Sequence, residues 1–249
     1  MTTSTTDAAA AGDVRSVPPP VAVALDTADL PQAVRWAGAV GPYVSACKVG
    51  LELYLRHGAA AVLAVGNAAD RAVFLDLKLH DIPATVAGAA RSVADLAPAY
   101  LTVHASGGAD MVRAAVEALP ETTLVTGVTV LTSLDAPALE ALGFTGSPLD
   151  VVRRLAVLAV SAGAGALVCS PREVAAVRAE VGPGVVLVTP GVRSAGVAAD
   201  DQARVATPEQ ALADGADLLV VGRPITGAAD PAQAAARLAA SLPRADRGR

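Results

Sequence analysis

Phe74-Leu75-Asp76-Leu77-Lys78-Leu79-His80-Asp81-Ile82-Pro83 is a strand-like run whose end is charged. Side chains alternate across a strand, so Asp76, Lys78 and His80 are expected on one face and Leu75, Leu77 and Leu79 on the other. Upstream, Ala72-Val73-Phe74-Leu75 is apolar on both faces, as a strand covered on both sides must be. Two acids and a lysine at the end of such a strand are costly to desolvate unless they pair. Working outward, seven more apolar runs appear: Val21–Leu25, Tyr43–Val49, Tyr100–Val103, Thr123–Val130, Ala166–Cys169, Val185–Thr189 and Asp217–Val221. With Ala72–Leu77 they make eight.

Alanine-rich helical stretches separate these runs. Ser170-Pro171-Arg172-Glu173 and Thr207-Pro208-Glu209-Gln210 each place a cap, a first-turn proline and an acid or amide at the third helical position. Met111, Val112, Ala115, Val116 and Leu119 share one apolar face at helical spacing. Eight strand–helix units in about 220 residues predict a single closed (β/α)₈ barrel (an α/β fold) with its active site at the C-terminal ends of the strands. An open doubly wound sheet is the competing arrangement, but no GxGxxG follows the first run. The barrel is expected over residues 20–241. Residues 1–19, Thr/Ala/Ser-rich and ending in a proline run, read as a flexible tail, and 242–249 as a frayed one.

Composition excludes other classes. The chain has 249 residues, 53% of them hydrophobic and 17% charged, which is incompatible with intrinsic disorder. A net charge of −5 and six aromatic residues argue against nucleic-acid binding. Cys47 and Cys169 are the only cysteines, which suits a reducing cytosol rather than a disulfide scaffold. The longest uncharged stretch, Leu155–Pro171, is short for a membrane span and broken by glycines and serines. A helix followed by a buried strand is the expectation there. The N-terminus lacks a basic start and an apolar core, so no signal peptide is expected, and the cytoplasm is the expected location.

In a barrel of this kind, the polar residues that end the strands should make chemical sense together. Asp76, Lys78 and Asp81 can be read as a structural ion-pair network. They can equally be read as a lysine proton donor between carboxylates, protonating a carbanion as it forms. A carboxylate there could also repel an anionic substrate group and favour its loss. Asp26 and Lys48 end neighbouring runs and suit sugar hydroxyls, or stand as rim charges. Pro190-Gly191-Val192-Arg193 and Gly222-Arg223-Pro224 follow the seventh and eighth runs, the usual phosphate site of the fold. Asp200-Asp201-Gln202 lies in the longer seventh loop, which reads as a lid. His57, His80 and His104 read as supporting residues, Cys47 and Trp36 as packing. No spacing of His, Cys and carboxylates suggests a metal site.

Taken together, DLKLHDIPATV, TPGVR, DDQARVATPEQAL and GADLLVVGRPIT resemble the orotidine 5′-phosphate decarboxylase family over about Val21 to Ala240. The D-x-K-x-x-D element is shared by a wider group of phosphate-binding barrels; its combination with the other three is far more specific. The resemblance implies a cofactor-free homodimer that converts orotidine 5′-monophosphate to UMP and CO₂, the last step of de novo pyrimidine synthesis. It implies Lys78 as proton donor to C6 of the pyrimidine and Asp76 as the carboxylate facing the leaving CO₂. Asp81 and Thr85 would reach into the partner subunit's site. Asp26 and Lys48 would contact the ribose hydroxyls, Thr132 the pyrimidine edge, and Pro190 the carboxylate pocket. Arg193, Gln202, Gly222 and Arg223 would clamp the phosphate. Ala84 departs from the polar residue that close relatives often carry. Two alternatives stay open. One is a Mg²⁺-dependent sugar-phosphate decarboxylase or aldolase of the wider group, whose members carry an acid where Lys48 stands. The other is a phosphate-binding barrel without chemistry.

Overall fold

Along the strands, inward residues such as Ala22, Ala46 and Phe74 alternate with outward ones such as Val23, Cys47 and Leu75, so one set fills the barrel and the other meets the helices. The structure, a computed structural model, describes residues 18–192 and 206–243. Its strands are β1 (Val21–Ala24), β2 (Ala46–Gly50), β3 (Ala72–Leu79), β4 (Tyr100–His104), β5 (Leu124–Val128), β6 (Ala166–Val168), β7 (Val186–Pro190) and β8 (Leu218–Val221). Each pairs in parallel with the next, and β8 pairs with β1, so the sheet is a closed barrel ringed by helices. The (β/α)₈ expectation holds.

Two apolar layers stabilise it. The inner one contains Ala22, Ala46, Phe74, Val188 and Leu218, with Tyr100, Val168, Val186 and Val220 packed on them. The larger layer lies between strands and helices, where Val23, Val49, Leu75, Leu101 and Leu187 meet helix residues such as Ala33, Ala37, Val65 and Ala90. Burying one such Val or Leu side chain is worth about 1.5–3 kcal/mol. Small residues let the ring close tightly. A β-carbon at Gly41 would come within 2.3 Å of the Ala69 carbonyl oxygen, so the helix Leu30–Val40 can end there only on glycine. The 58 alanines of the chain serve the same need.

Several local expectations change. β3 does not alternate to its end: Lys78 has φ +48, in the left-handed region, and His80 is exposed beside the His104 ring at 5.2 Å. Thr207 caps the helix Pro208–Ala213 by accepting the Gln210 N–H at 3.2 Å. Ser170 does not cap in that way. The Glu173 carboxylate accepts the Ser170 N–H at 2.8 Å, but residues 171–173 form a separate turn and the helix starts only at Val174. Leu242, expected in the C-terminal tail, is buried in the outer layer because the helix Pro231–Ser241 lays it there. Among the described residues no helix is long and apolar enough to cross a membrane. Leu155–Pro171 is indeed the end of one helix, Pro148–Ser161, followed by β6.

Candidate active site

Register brings the charged strand ends together. Gly50 of β2 pairs with Asp76 of β3, and Ala24 of β1 pairs with Lys48, so Asp26, Lys48 and Asp76 meet at one side of the mouth. The Lys48 Nζ lies 3.2 Å from Asp26 Oδ1 and 3.3 Å from Asp76 Oδ2. The Lys78 Nζ donates to Asp76 Oδ1 at 2.7 Å. The result is a chain of alternating sign, Asp26–Lys48–Asp76–Lys78, with no net charge. Gly50 makes it possible, because a β-carbon there would stand 3.1 Å from both Asp26 Oδ1 and Lys48 Nζ.

Burial and charge act on this array in opposite directions. Burial alone would push the Asp76 carboxyl up, but the charges of Lys48 and Lys78, with hydrogen bonds from Lys78 and Thr102, hold it below the usual range. Burial alone would push Lys48 down, and Asp76 and then Asp26 outweigh it, leaving the ammonium above its ordinary value. Both groups are therefore charged at neutral pH. Cys169 is pushed up to about 12 by burial and then by Glu173, so it remains a protonated thiol. His104, half-buried, is pushed down by burial and then by the nearby His80 and Lys78.

These groups border a cavity of about 330 Å³ at the C-terminal ends of the strands. Its apolar wall includes Ala24, Phe74, Val128, Val168, Val188 and Val220. Asp26, Lys48, Asp76 and Lys78 occupy one part of its lining, and Thr132, Pro190, Gly191, Gly222 and Arg223 complete it. Gly191 has φ +81, a turn that suits glycine, and Gly222 begins the short helix Arg223–Thr226. Such a site combines an apolar wall with fixed charges, an arrangement that can grip a polar ligand and stabilise charge on it.

Asp81 and Thr85 are not brought into this cavity. Both are exposed at the start of the helix Pro83–Ala94, and Asp81 accepts the Ile82 N–H at 2.6 Å. Within one chain Lys78 therefore pairs with Asp76, not with two carboxylates. The left-handed turn at Lys78 redirects the backbone before Asp81 is reached. Arg193, Gln202 and the lid expected around Asp200-Asp201 lie outside the described residues. Two contributors escaped the reading of the sequence. One is Gly50, whose signal was a glycine directly after a strand that ends in charge. The other is Thr102, a hydroxyl in the apolar run Tyr100–Val103, which donates to Asp76 Oδ1 at 3.0 Å. Among the described residues, no group of three or more His, Cys, Asp or Glu is placed to hold a metal ion.

Comparison with known proteins agrees with this geometry. The model of the orotidine 5′-phosphate decarboxylase / HUMPS family matches residues 19–238. The orotidine 5′-phosphate decarboxylase of Thermobifida fusca is 72% identical over 223 residues, covering 90% of this chain and 95% of that protein. Its counterpart in Rhodospirillum rubrum is 49% identical over 231 residues, covering 90% of this chain and 94% of that protein. The crystal structure of the Lactobacillus acidophilus orotidine 5′-phosphate decarboxylase superimposes with a TM-score of 0.76 at 33% identity, covering 88% of this chain and 97% of the other. A closed eight-stranded barrel, a lysine–carboxylate array at its mouth and a family match over nearly its whole length lead to one conclusion: the chain belongs to the orotidine 5′-phosphate decarboxylase family.

Proposed function

We propose that this chain decarboxylates orotidine 5′-monophosphate to UMP and CO₂, in the cytoplasm, as the last step of de novo pyrimidine synthesis. The observation that carries the reading is the Lys48–Asp76–Lys78 array, lining an apolar cavity that Gly222 and Arg223 also line. In this reading residues 20–241 form the catalytic unit and residues 1–19 lie outside it.

The phosphate is gripped by Gly222 and Arg223, with Arg193 and Gln202 completing the clamp. Asp26 and Lys48 hold the ribose hydroxyls, and Thr132 the edge of the pyrimidine. The C6 carboxylate then sits by Pro190, facing Asp76. Asp76 already accepts from Lys48, Lys78 and Thr102, so it stays anionic and repels the substrate carboxylate. That repulsion accelerates the reaction to the extent that it fades as CO₂ departs. When the C6–carboxylate bond breaks, its electron pair stays on C6. The Lys78 ammonium stabilises that charge and passes a proton to C6, giving UMP. Lysine and carboxylate chemistry suffices for this sequence, with no cofactor. Binding energy from the remote phosphate holds the ring in place for the step.

The buried Lys48 ammonium fills the point between Asp26 and Asp76 where a divalent cation would have to sit, which weighs against the Mg²⁺-dependent reading. The Asp76–Lys78 pair, which a phosphate-binding barrel does not need, weighs against the silent one.

The chain acts as a homodimer in this reading, with Asp81 and Thr85 completing the partner's site. Their exposure beside Ile82, itself 65% exposed, supports this. The direct test is to add orotidine 5′-monophosphate to the purified protein and follow ultraviolet absorbance as UMP forms. No conversion would sink the proposal. For the shared site, mixing inactive Asp76→Ala and Asp81→Ala subunits should restore turnover, because each mixed dimer contains one intact site. No recovery in verified mixed dimers would refute sharing.

A further inference from the structure

We infer that Thr102 is a positioning residue for Lys78 and Asp76, its hydroxyl standing in for a backbone carbonyl that the β3–β4 ladder does not supply. This rests on the functional reading above. Between β3 and β4 the register slips: Leu75 pairs with Leu101, and Leu79 with Val103. The chain therefore takes four residue steps along β3 while taking two along β4, and Thr102 lies opposite the excess. A bulge of this kind frees backbone N–H groups from the ladder and redirects the side chains that follow. Here the freed N–H belongs to Lys78, which donates to Thr102 Oγ1 at 2.8 Å.

The direction of the second bond follows from chemistry. An amide N–H can only donate and a carboxylate can only accept, so the single hydroxyl proton of Thr102 must point at Asp76 Oδ1, 3.0 Å away. The same oxygen accepts the Lys78 Nζ at 2.7 Å. Lysine backbone, threonine hydroxyl, carboxylate and lysine ammonium thus form a ring that closes through the lysine side chain itself. Thr102 is fully buried, and its branched β-carbon restricts the hydroxyl to few directions. Lys78 meanwhile has φ +48, a backbone state that a non-glycine residue keeps only when its surroundings impose it. One hydroxyl accordingly fixes both where the lysine leaves the strand and where its partner carboxylate points.

The test is Thr102→Val, which keeps the shape and removes the hydroxyl, beside Thr102→Ser, which keeps the hydroxyl. Wild-type turnover is established first, since its absence would overturn the functional reading and not this one alone. In Thr102→Val, kcat should fall by about 10²-fold, the scale of a misplacement near 1 Å, while KM and the Kd for UMP stay within about threefold. Thr102→Ser should recover most of the loss. Thr102→Ala provides the same comparison if the valine variant does not fold. Unchanged kcat in a folded variant lacking the hydroxyl would overturn the inference. So would a loss spread equally over kcat, UMP binding and Tm, or a serine variant as impaired as the valine one.

Discussion

The barrel carries an ion network at each end, and they are built in opposite ways. At the C-terminal end, Lys48 and Lys78 are bonded through their Nζ atoms to carboxylates, and the backbone of Lys78 is held in the left-handed region. At the N-terminal ends of β7 and β8, Arg178 donates to the carbonyls of Gly182, Val185 and Gly215 and to the Asp217 carboxylate. Asp217 in turn accepts the Leu187 N–H at 2.8 Å. The lower network ties loops to a strand through backbone groups, so its donors are used up in holding the fold. The upper one ties side chain to side chain around an open cavity, where an ammonium remains accessible to a ligand. A charge cluster is structural or chemical according to what saturates it.

The largest difference should appear on removing one cation from each network. Lys78→Ala is expected to keep binding UMP and to lose turnover by at least about 10²–10⁴-fold, the ordinary contribution of a positioned proton donor. Isothermal titration with UMP beside a turnover assay checks this, and near-normal turnover would break the contrast. Arg178→Met should act the other way, leaving kcat unchanged while costing about 1–3 kcal/mol, because the half-buried carbonyls of Gly182 and Gly215 and the buried Val185 lose their donor. In a chain of this size that is about 2–4 °C of Tm per kcal/mol, measurable by thermal melting. A turnover defect without lost stability would erase the distinction.

The smallest effect is in pH. Asp76 has a lowered carboxyl, so its stabilising contribution is complete above the unfolded value of about 3.9 and lost as pH falls through the lower folded value. Lys48 is raised, so its contribution is complete below about 10.4 and lost as pH rises through the higher folded value. Urea unfolding across pH should show stability falling at both edges. Asp76→Asn should flatten the acid edge, and an unaltered slope there would mean that Asp76 is not the group responsible.

What could be read in advance depended on how local its cause was. Asp76 and Lys78 were legible as partners because a two-residue period already places them side by side. The exposure of His80 and its contact with the His104 ring were not legible, since the period predicts nothing about a backbone that enters the left-handed region at Lys78. The Thr207 cap was legible and the Ser170 cap was not, although both read Ser/Thr-Pro-x-Glu/Gln. Around Ser170 the Glu173 carboxylate is drawn inward and buried, and the turn closes before the helix begins.

Apolar runs of the right length, the helices between them and the residue types at each strand end are properties of the chain alone, because they follow from period and composition. They were enough to specify a barrel and to nominate its chemistry. The contact of Lys48 with Asp76 depends instead on the register of β2 against β3 and on the space left by Gly50. The part of Thr102 depends on a slip between β3 and β4 that no single strand displays. Those choices belong to the tertiary structure, because hydrogen-bond register between distant segments is settled only when the barrel closes and every strand must satisfy two neighbours at once.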